Sequence, residues 1–246
     1  FRPFRLRRHH RTAIVPPWMA RDGRDGTTMA PDLRGAMAAH PEVRERSSAS
    51  FPHVVSLNFS RKVFYSGLWD DVVVKARGLF VDAATGEIVA RSYDKFFNVG
   101  ERDDTAMAAL RERLRFPVTA WVKENGFLGI VGYDRATDGL FASSKSTPDG
   151  DFAGWFREIL ADTLPGRGQR EALKRFLRDT ESSMAFEVID PVRDPHMIEY
   201  DAPKLVLLDV IRRATEFEKL PEGQLERVGK RFGLEVKQRG PRFKDF

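Results

Sequence analysis

The sequence contains no cysteine. Disulfides, thiolate metal sites and cysteine nucleophiles are therefore excluded. Histidine is scarce. The five stand at positions 9, 10, 40, 53 and 196, and none in the apolar part of the chain has a second at metal-ligand spacing. No apolar run reaches the length of a membrane span. The longest near the start, residues 13–20, is short and interrupted by prolines, a poor signal-peptide core. The expectation is a cytoplasmic protein with no membrane partner. Neither a GxSxG elbow nor a GxxxxGK[ST] phosphate loop occurs. Gly126, Gly129 and Gly132 recur every three residues, but inside a β-rich stretch, which is not a dinucleotide fingerprint.

Lysine is missing from the first fifty residues, which hold 10 Arg against 5 acidic residues. The remaining residues hold 31 basic and 31 acidic side chains, so the net charge of +5 belongs to the start of the chain. Residues 1–50 show no sustained period of two or 3.6 and are rich in Arg, Gly, Pro and Ala. They are expected to be a disordered Arg-rich leader, either a tail without a role or an RNA-binding arm. The first residue is Phe, and Met19 or Met29 could be the true start.

From Phe51 the patterning changes. Strands are expected at Val54–Phe59, through a β-rich run from Val72 to Asp82, and at Glu87–Arg91 after a turn at residues 83–86. Asp103–Thr105 can cap a helix reaching Arg115. The stretch WVKENGFLG places Asn125-Gly126, the commonest two-residue hairpin turn, between apolar runs. A second turn at residues 137–139 precedes a strand at Leu140–Ser144. Helices are expected over 151–162 and 168–180, strands at Met184–Asp190 and Lys204–Ile211, a helix from Pro221 to Phe232 and a short strand at Leu234–Lys237. The order implies an α+β fold, with antiparallel sheets flanked by helices, over residues 51–246.

Several charged side chains interrupt these strands: Arg77, Lys95, Lys123, Lys145 and Glu187. Long charged side chains seldom enter a sheet interior unless paired or functional. Taken singly, each has an ordinary reading. Lys123 can be a solvated hairpin residue, Arg77 an ion-pair partner, Lys95 a surface cation on a ring face and Lys145 a loop lysine. Taken together, they suggest a polyanion-binding cleft with one carboxylate for a metal or a sugar hydroxyl.

In order and spacing, six segments carry a resemblance. They are Lys75-Ala-Arg-Gly-Leu-Phe80, Asp94-Lys-Phe-Phe-Asn-Val-Gly-Glu101, Lys123-Glu-Asn-Gly126, Ser144-Lys-Ser146, Ala185-Phe-Glu-Val188 and Lys204-Leu-Val-Leu-Leu-Asp209. The set resembles the covalent nucleotidyltransferases in their RNA-ligase branch: the phage-type tRNA-repair RNA ligases and the adenylyltransferase domain of fungal tRNA ligases. Their nucleophile motif is Lys-x-(Asp/Asn)-Gly. The family continues with a Glu-Gly strand and a Lys-x-Lys element. Neither occurs in these residues, since Glu222-Gly223 opens a helix, so the domain is expected to be incomplete and weakly active or inactive by itself.

The resemblance implies an ATP-dependent RNA ligase with a nucleotidyltransferase (ATP-grasp-like ligase) fold. Lys123 would be the nucleophile, its amine buried and its pKa lowered beside Arg77, Lys95 and Lys145. Those three cations, with Asn125 and Gly126, would bind ATP. Glu187 would take the ribose or hold Mg2+ or Mn2+, and Val206 or Leu207 would pack on adenine. The partners implied are RNA 5′-phosphate and 3′-hydroxyl ends, such as those of broken tRNA. A non-catalytic nucleotide- or RNA-binding remnant, a DNA ligase and a capping guanylyltransferase are the alternatives.

Overall fold

The computed structural model describes residues 14–20 and 26–246. Near the start, a 3-10 turn at Pro17–Ala20 buries Trp18, whose indole donates to the Thr180 carbonyl at 2.9 Å. Helix α1 (Pro31–Ala39) opens with a proline in its first turn, where the missing N–H costs nothing. Strand β1 (Val43–Ser47) pairs antiparallel with β2 (Val54–Phe59). The expectation of an unfolded first fifty residues is therefore corrected over 14–20, where Trp18 enters the core, and over 26–50. Residues 26–50 add a helix and an edge strand, and Met29 and Met37 enter the core. Little in the residue pattern marks this edge strand, because only Val43 of β1 is buried. Residues 1–13 and 21–25, with His9 and His10, lie outside the described residues.

Helix α2 (Arg61–Ser66) is capped by the Ser60 hydroxyl, which accepts from the Val63 amide, and it stops at Gly67 in the left-handed region. The β-rich run expected from Val72 is corrected next. Val73–Lys75 form a 3-10 turn, and only Leu79–Asp82 are strand (β3), paired with β2 and with β4 (Ile88–Arg91). The helix expected from Asp103 is shortened to α3 (Met107–Arg113), which buries no residue.

Strand β5 (Val118–Trp121) and strand β6 (Phe127–Asp134) flank Asn125-Gly126 but do not pair with each other. The expected two-residue hairpin is absent there. The true hairpin joins β6 to β7 (Gly139–Ser144), with Asp138 in the left-handed region. Helices α4 (Asp151–Thr163) and α5 (Arg167–Asp179) follow, then the long antiparallel pair β8 (Ser182–Ile189) and β9 (Lys204–Arg212). Helix α6 (Glu222–Phe232) leads to β10 (Glu235–Val236), parallel to β9, and β11 (Arg239–Phe243) returns to pair with β5.

The described strands form a four-stranded sheet β1-β2-β3-β4, a five-stranded sheet β10-β9-β8-β6-β7 and the pair β11-β5. Alternation along each strand feeds different layers. Leu79 and Val81 face the side of α1 and α2, whereas Phe80 meets Ile130 and Phe141 between the two large sheets. Val131 and Tyr133 turn to the opposite side, where α4, α5 and α6 cover the largest cluster. Gly132 lets the sheets approach, because a Cβ there would stand 2.2 Å from the Val89 carbonyl oxygen. The α+β expectation holds.

Candidate functional site

One face of β8 and β9 is left open by the helices. Met184, Phe186 and Val188 enter the helix-side core, so Glu187 points to the other side. Strand β9 carries a bulge opposite β8: Phe186 pairs with Leu207 and Ala185 with Asp209, so Leu208 is the extra residue. A bulge reverses the alternation and puts neighbouring side chains on one face. Leu208 and Asp209 thus both face the open side.

A cavity of about 520 Å³ lies on that face. The end of the segment before β3 gives Arg77, the stretch after β4 gives Tyr93 and Phe96, and the β5–β6 connection gives Lys123 and Gly126. Phe127 and Leu128 of β6, Ser144 at the end of β7 with Lys145 and Ser146 after it, Phe152 of α4, Glu187 and Leu208 complete the wall. Four of the expected site residues with charge, Arg77, Lys123, Lys145 and Glu187, are brought together here.

Each is held differently. Glu187 Oε1 accepts from the Gly126 amide at 2.9 Å, and burial pushes the carboxyl above the usual glutamate range despite that bond and the nearby Lys123 cation. Gly126 must be glycine, since a Cβ would stand 2.1 Å from the Val188 carbonyl oxygen. What the turn approaches closely is strand β8. The Asn125 amide donates to the Tyr200 hydroxyl, which in turn donates to Glu124, both at 2.9 Å. Arg77 donates to the Ser92 hydroxyl and the Tyr93 carbonyl and lies 5.4 Å from the Phe96 ring centroid. Burial lowers its pKa, while Tyr93, Glu187 and Asp94 oppose the shift; an arginine remains charged regardless. Burial, then the Arg77 charge, lowers the pKa of Lys145.

Three expectations are corrected. The Lys123 side chain is exposed at the cavity rim, where Nζ donates to the Glu124 carbonyl at 3.0 Å. The segment before it bends away to meet β11, so no sheet covers the amine. Lys95 lies outside the cavity. It sits 4.0 Å from the Phe97 ring centroid and 5.3 Å from that of Trp69, with Glu101 at 3.4 Å. Val206 and Leu207 are fully buried and offer no surface to a ligand. The bulge hands that place to Leu208.

Sequence reasoning missed Tyr93, Phe96, Phe127, Phe152 and Leu208. Phe96 and Tyr93 sit in the aromatic segment around Lys95, where the cation drew attention from its neighbours. Phe127 follows Gly126 directly, and its ring meets that of Phe152 edge-on at 4.8 Å. No sequence pattern marks the bulge.

A cation could be held by Glu187 alone on the protein side. Among the described residues no group of three or more His, Asp or Glu could hold a metal. That donor set fits Mg2+, which is commonly bound by one or two carboxylates together with substrate phosphates.

Comparison with known proteins places these features. The model of the RNA ligase family matches residues 75–245, well over half of the chain. The chain belongs to the RNA ligase family. It is similar to tRNA ligase 1 of Schizosaccharomyces pombe, with 28% identity over 163 residues, covering 59% of this chain and 20% of that protein. In fold it is similar to a putative ATP-dependent DNA ligase from Aquifex aeolicus, with a TM-score of 0.51 at 16% identity over 87% of this chain and 51% of that one. The chain thus spans about a fifth of the one relative and half of the other. Among the described residues no helix is long and apolar enough to cross a membrane.

Proposed function

We propose that the chain is the adenylyl-transferring part of an ATP-dependent RNA ligase that seals RNA 5′-phosphate to 3′-hydroxyl ends in RNA repair. One observation carries the reading: Lys123, Arg77, Lys145 and Glu187, far apart in sequence, line a single cavity with an aromatic wall. In the first step the neutral Lys123 Nζ attacks the α-phosphorus of ATP. An N–P bond forms, the bond to the bridging oxygen breaks, pyrophosphate leaves and the amine proton passes to solvent. Arg77 grips phosphate oxygens through its planar fork, and Lys145 adds a point charge. Because Lys123 stands at the rim, the bound nucleotide itself supplies the enclosure that the fold does not. Leu208 and the Phe96, Phe127 and Phe152 rings receive the base, and the free oxygen of Glu187 receives a ribose hydroxyl or Mg2+. When bound, Mg2+ offsets negative charge on the phosphates.

In the second step an RNA 5′-phosphate oxygen takes the adenylyl group, and the N–P bond breaks. In the third a 3′-hydroxyl attacks the activated 5′-phosphorus, the phosphodiester forms and AMP leaves. The match to the RNA ligase family supports RNA as the substrate class.

The test is covalent labelling by ATP carrying label at the α-phosphate, with calorimetry of ATP binding alongside. Wild type is expected to give a labelled band that is lost in acid and stable in alkali. Lys123→Ala should remove it and leave ATP affinity within about threefold, since binding rests on Arg77, Lys145 and the apolar wall. A band that survives Lys123→Ala shows that the nucleophile lies elsewhere. ATP binding without any band in wild type supports a nucleotide-binding module instead. Sealing assays on nicked RNA and nicked DNA separate the RNA ligase from a DNA ligase.

A further inference from the structure

A second hollow, of about 610 Å³, opens beside the first and shares Arg77, Lys145 and Ser146 with it. Its floor comes from the edge of the four-stranded sheet. Arg44 and Arg46 project from one face of β1, opposite Asn58 and Ser56 of β2. Glu45, on the other face, is turned away and pairs with Arg34 at 2.6 Å. Helix α2 closes the far side with Arg61, Phe64 and Tyr65. The Asn58 amide donates to the Ser146 carbonyl at 3.2 Å and ties this floor to the Lys145 loop.

The chemistry of this hollow differs from that of the cavity. It is lined by five cations and no carboxylate. Arg44 is fixed by the Pro41 and Val43 carbonyls, which aim its guanidinium without neutralising it. Among the described residues Arg46 and Arg61 make no ion pair. Beside them Phe64 and Tyr65 stand 57% and 82% exposed, with ring centroids 5.7 Å apart and ring planes at 90°. Cations alone would suit any polyanion. Cations interleaved with solvent-facing rings suit a single strand, whose unpaired bases stack while its phosphates follow the charge. A duplex hides its base faces and gains nothing from the rings. The hollow runs into the cavity through Arg77 and Lys145, which line both.

We propose that this hollow is the docking track for single-stranded RNA. The strand lies over Arg44, Arg46 and Arg61, stacks on Phe64 and Tyr65, and delivers its reacting end past Lys145 to the cavity. This rests on the ligase reading above, but its test does not require ligation.

The probe is a 12-nucleotide single-stranded RNA with a 5′-phosphate and a 3′-fluorophore, followed by anisotropy across a salt series with the 246-residue chain. Arg46→Ala/Arg61→Ala should weaken binding at least tenfold at 0.1 M salt. It should also lower the slope of log affinity against log salt by about 1.4, at roughly 0.7 for each phosphate of a single strand that is no longer neutralised. Tyr65→Ala should weaken binding about fivefold or more with the slope unchanged, because stacking is uncharged. Arg46→Lys/Arg61→Lys should keep most of the slope. These side chains are on the surface, and melting curves should be unaltered. ATP affinity measured on the same variants should stay at the wild-type value. RNA affinity and slope unchanged in the double variant, a wild-type preference for duplex over single strand, or binding too weak to measure at 50 mM salt would each overturn the proposal. Equal affinity for DNA of the same sequence would overturn its RNA assignment. Failure of Lys123 labelling with the RNA effects intact would leave the track standing and remove the ligase mechanism.

Discussion

Glu187 and Asp209 sit on adjacent strands and face the same open side of the five-stranded sheet, yet the molecule treats them oppositely. Asp209 is buried and saturated: the Tyr93 hydroxyl donates to it at 2.6 Å, Lys237 at 2.7 Å and Lys219 at 3.1 Å. Tyr93, with burial as the larger cause and Asp209 as the next, has its pKa driven far upward, so it is a fixed donor. Lys237 is pressed between this carboxylate and the Trp121 ring, 4.6 Å from its centroid, and burial lowers its pKa against the pull of Asp209. Glu187 has one backbone donor, and its second oxygen takes no bond from any described residue. A carboxylate whose lone pairs are filled is part of the scaffold. One that is half-filled and penalised by burial is available to a ligand.

The sharpest way to break this contrast is Asp209→Ala. It strands Lys237 and the Tyr93 hydroxyl together, and loss of one member of a buried charge pair costs about 3–5 kcal/mol. Urea unfolding should show a loss of that size; a loss below about 1 kcal/mol would place Asp209 in the same class as Glu187. Next in size is the pair flanking the bulge. Leu207→Ala should cost about 2–5 kcal/mol, while Leu208→Ala should cost well under half as much and raise the Kd for ATP instead. Equal losses would contradict the bulge.

The smallest effect has the opposite sign. Glu187→Gln retains an acceptor for the Gly126 amide and removes a buried charge, so it should stabilise the chain by about 1 kcal/mol, or roughly 2–4 °C in Tm. The folded pKa of Glu187 is raised. Its favourable contribution is therefore present below the ordinary glutamate value and is lost as pH rises through the raised one. The melting curves of wild type and Glu187→Gln should converge in acid and separate as pH rises through that window. A gap that does not change with pH would mean that Glu187 is solvated. Covalent labelling should fall in the same variant, which separates stability from activity.

Much of the fold was legible where a period was long and complete. The helices α4, α5 and α6 and the strands β8 and β9 stand within a residue or two of their expected positions, because each buries a continuous face. The miss at Asn125-Gly126 has another cause. Local turn chemistry was favourable, but β5 finds its partner in β11, more than a hundred residues later, and Gly126 answers to the Val188 carbonyl rather than to a turn. In the site, Arg77, Lys145 and Glu187 were legible as charges in apolar strands. Leu208 was not, since a bulge shifts the alternation by one without leaving a mark in the residues themselves. Lys95 misled because its aromatic neighbours are its own packing partners. β1 was hidden by being an edge strand with four exposed residues, the same exposure that leaves Arg44 and Arg46 open to solvent.

The β5–β11 pairing sets how Lys123 can move. The strand leading to Lys123 is stitched to β11, with Trp121 beside Arg239, while the residues just after the lysine are moored to β8 through Gly126. The amine therefore rides on a short bridge between two separately built pontoons. If the proposed reading holds, a ligand that grips residues 239–243 would reach Lys123 through β5 without touching Arg77, Lys145 or Glu187, and should slow covalent labelling while leaving ATP affinity unchanged.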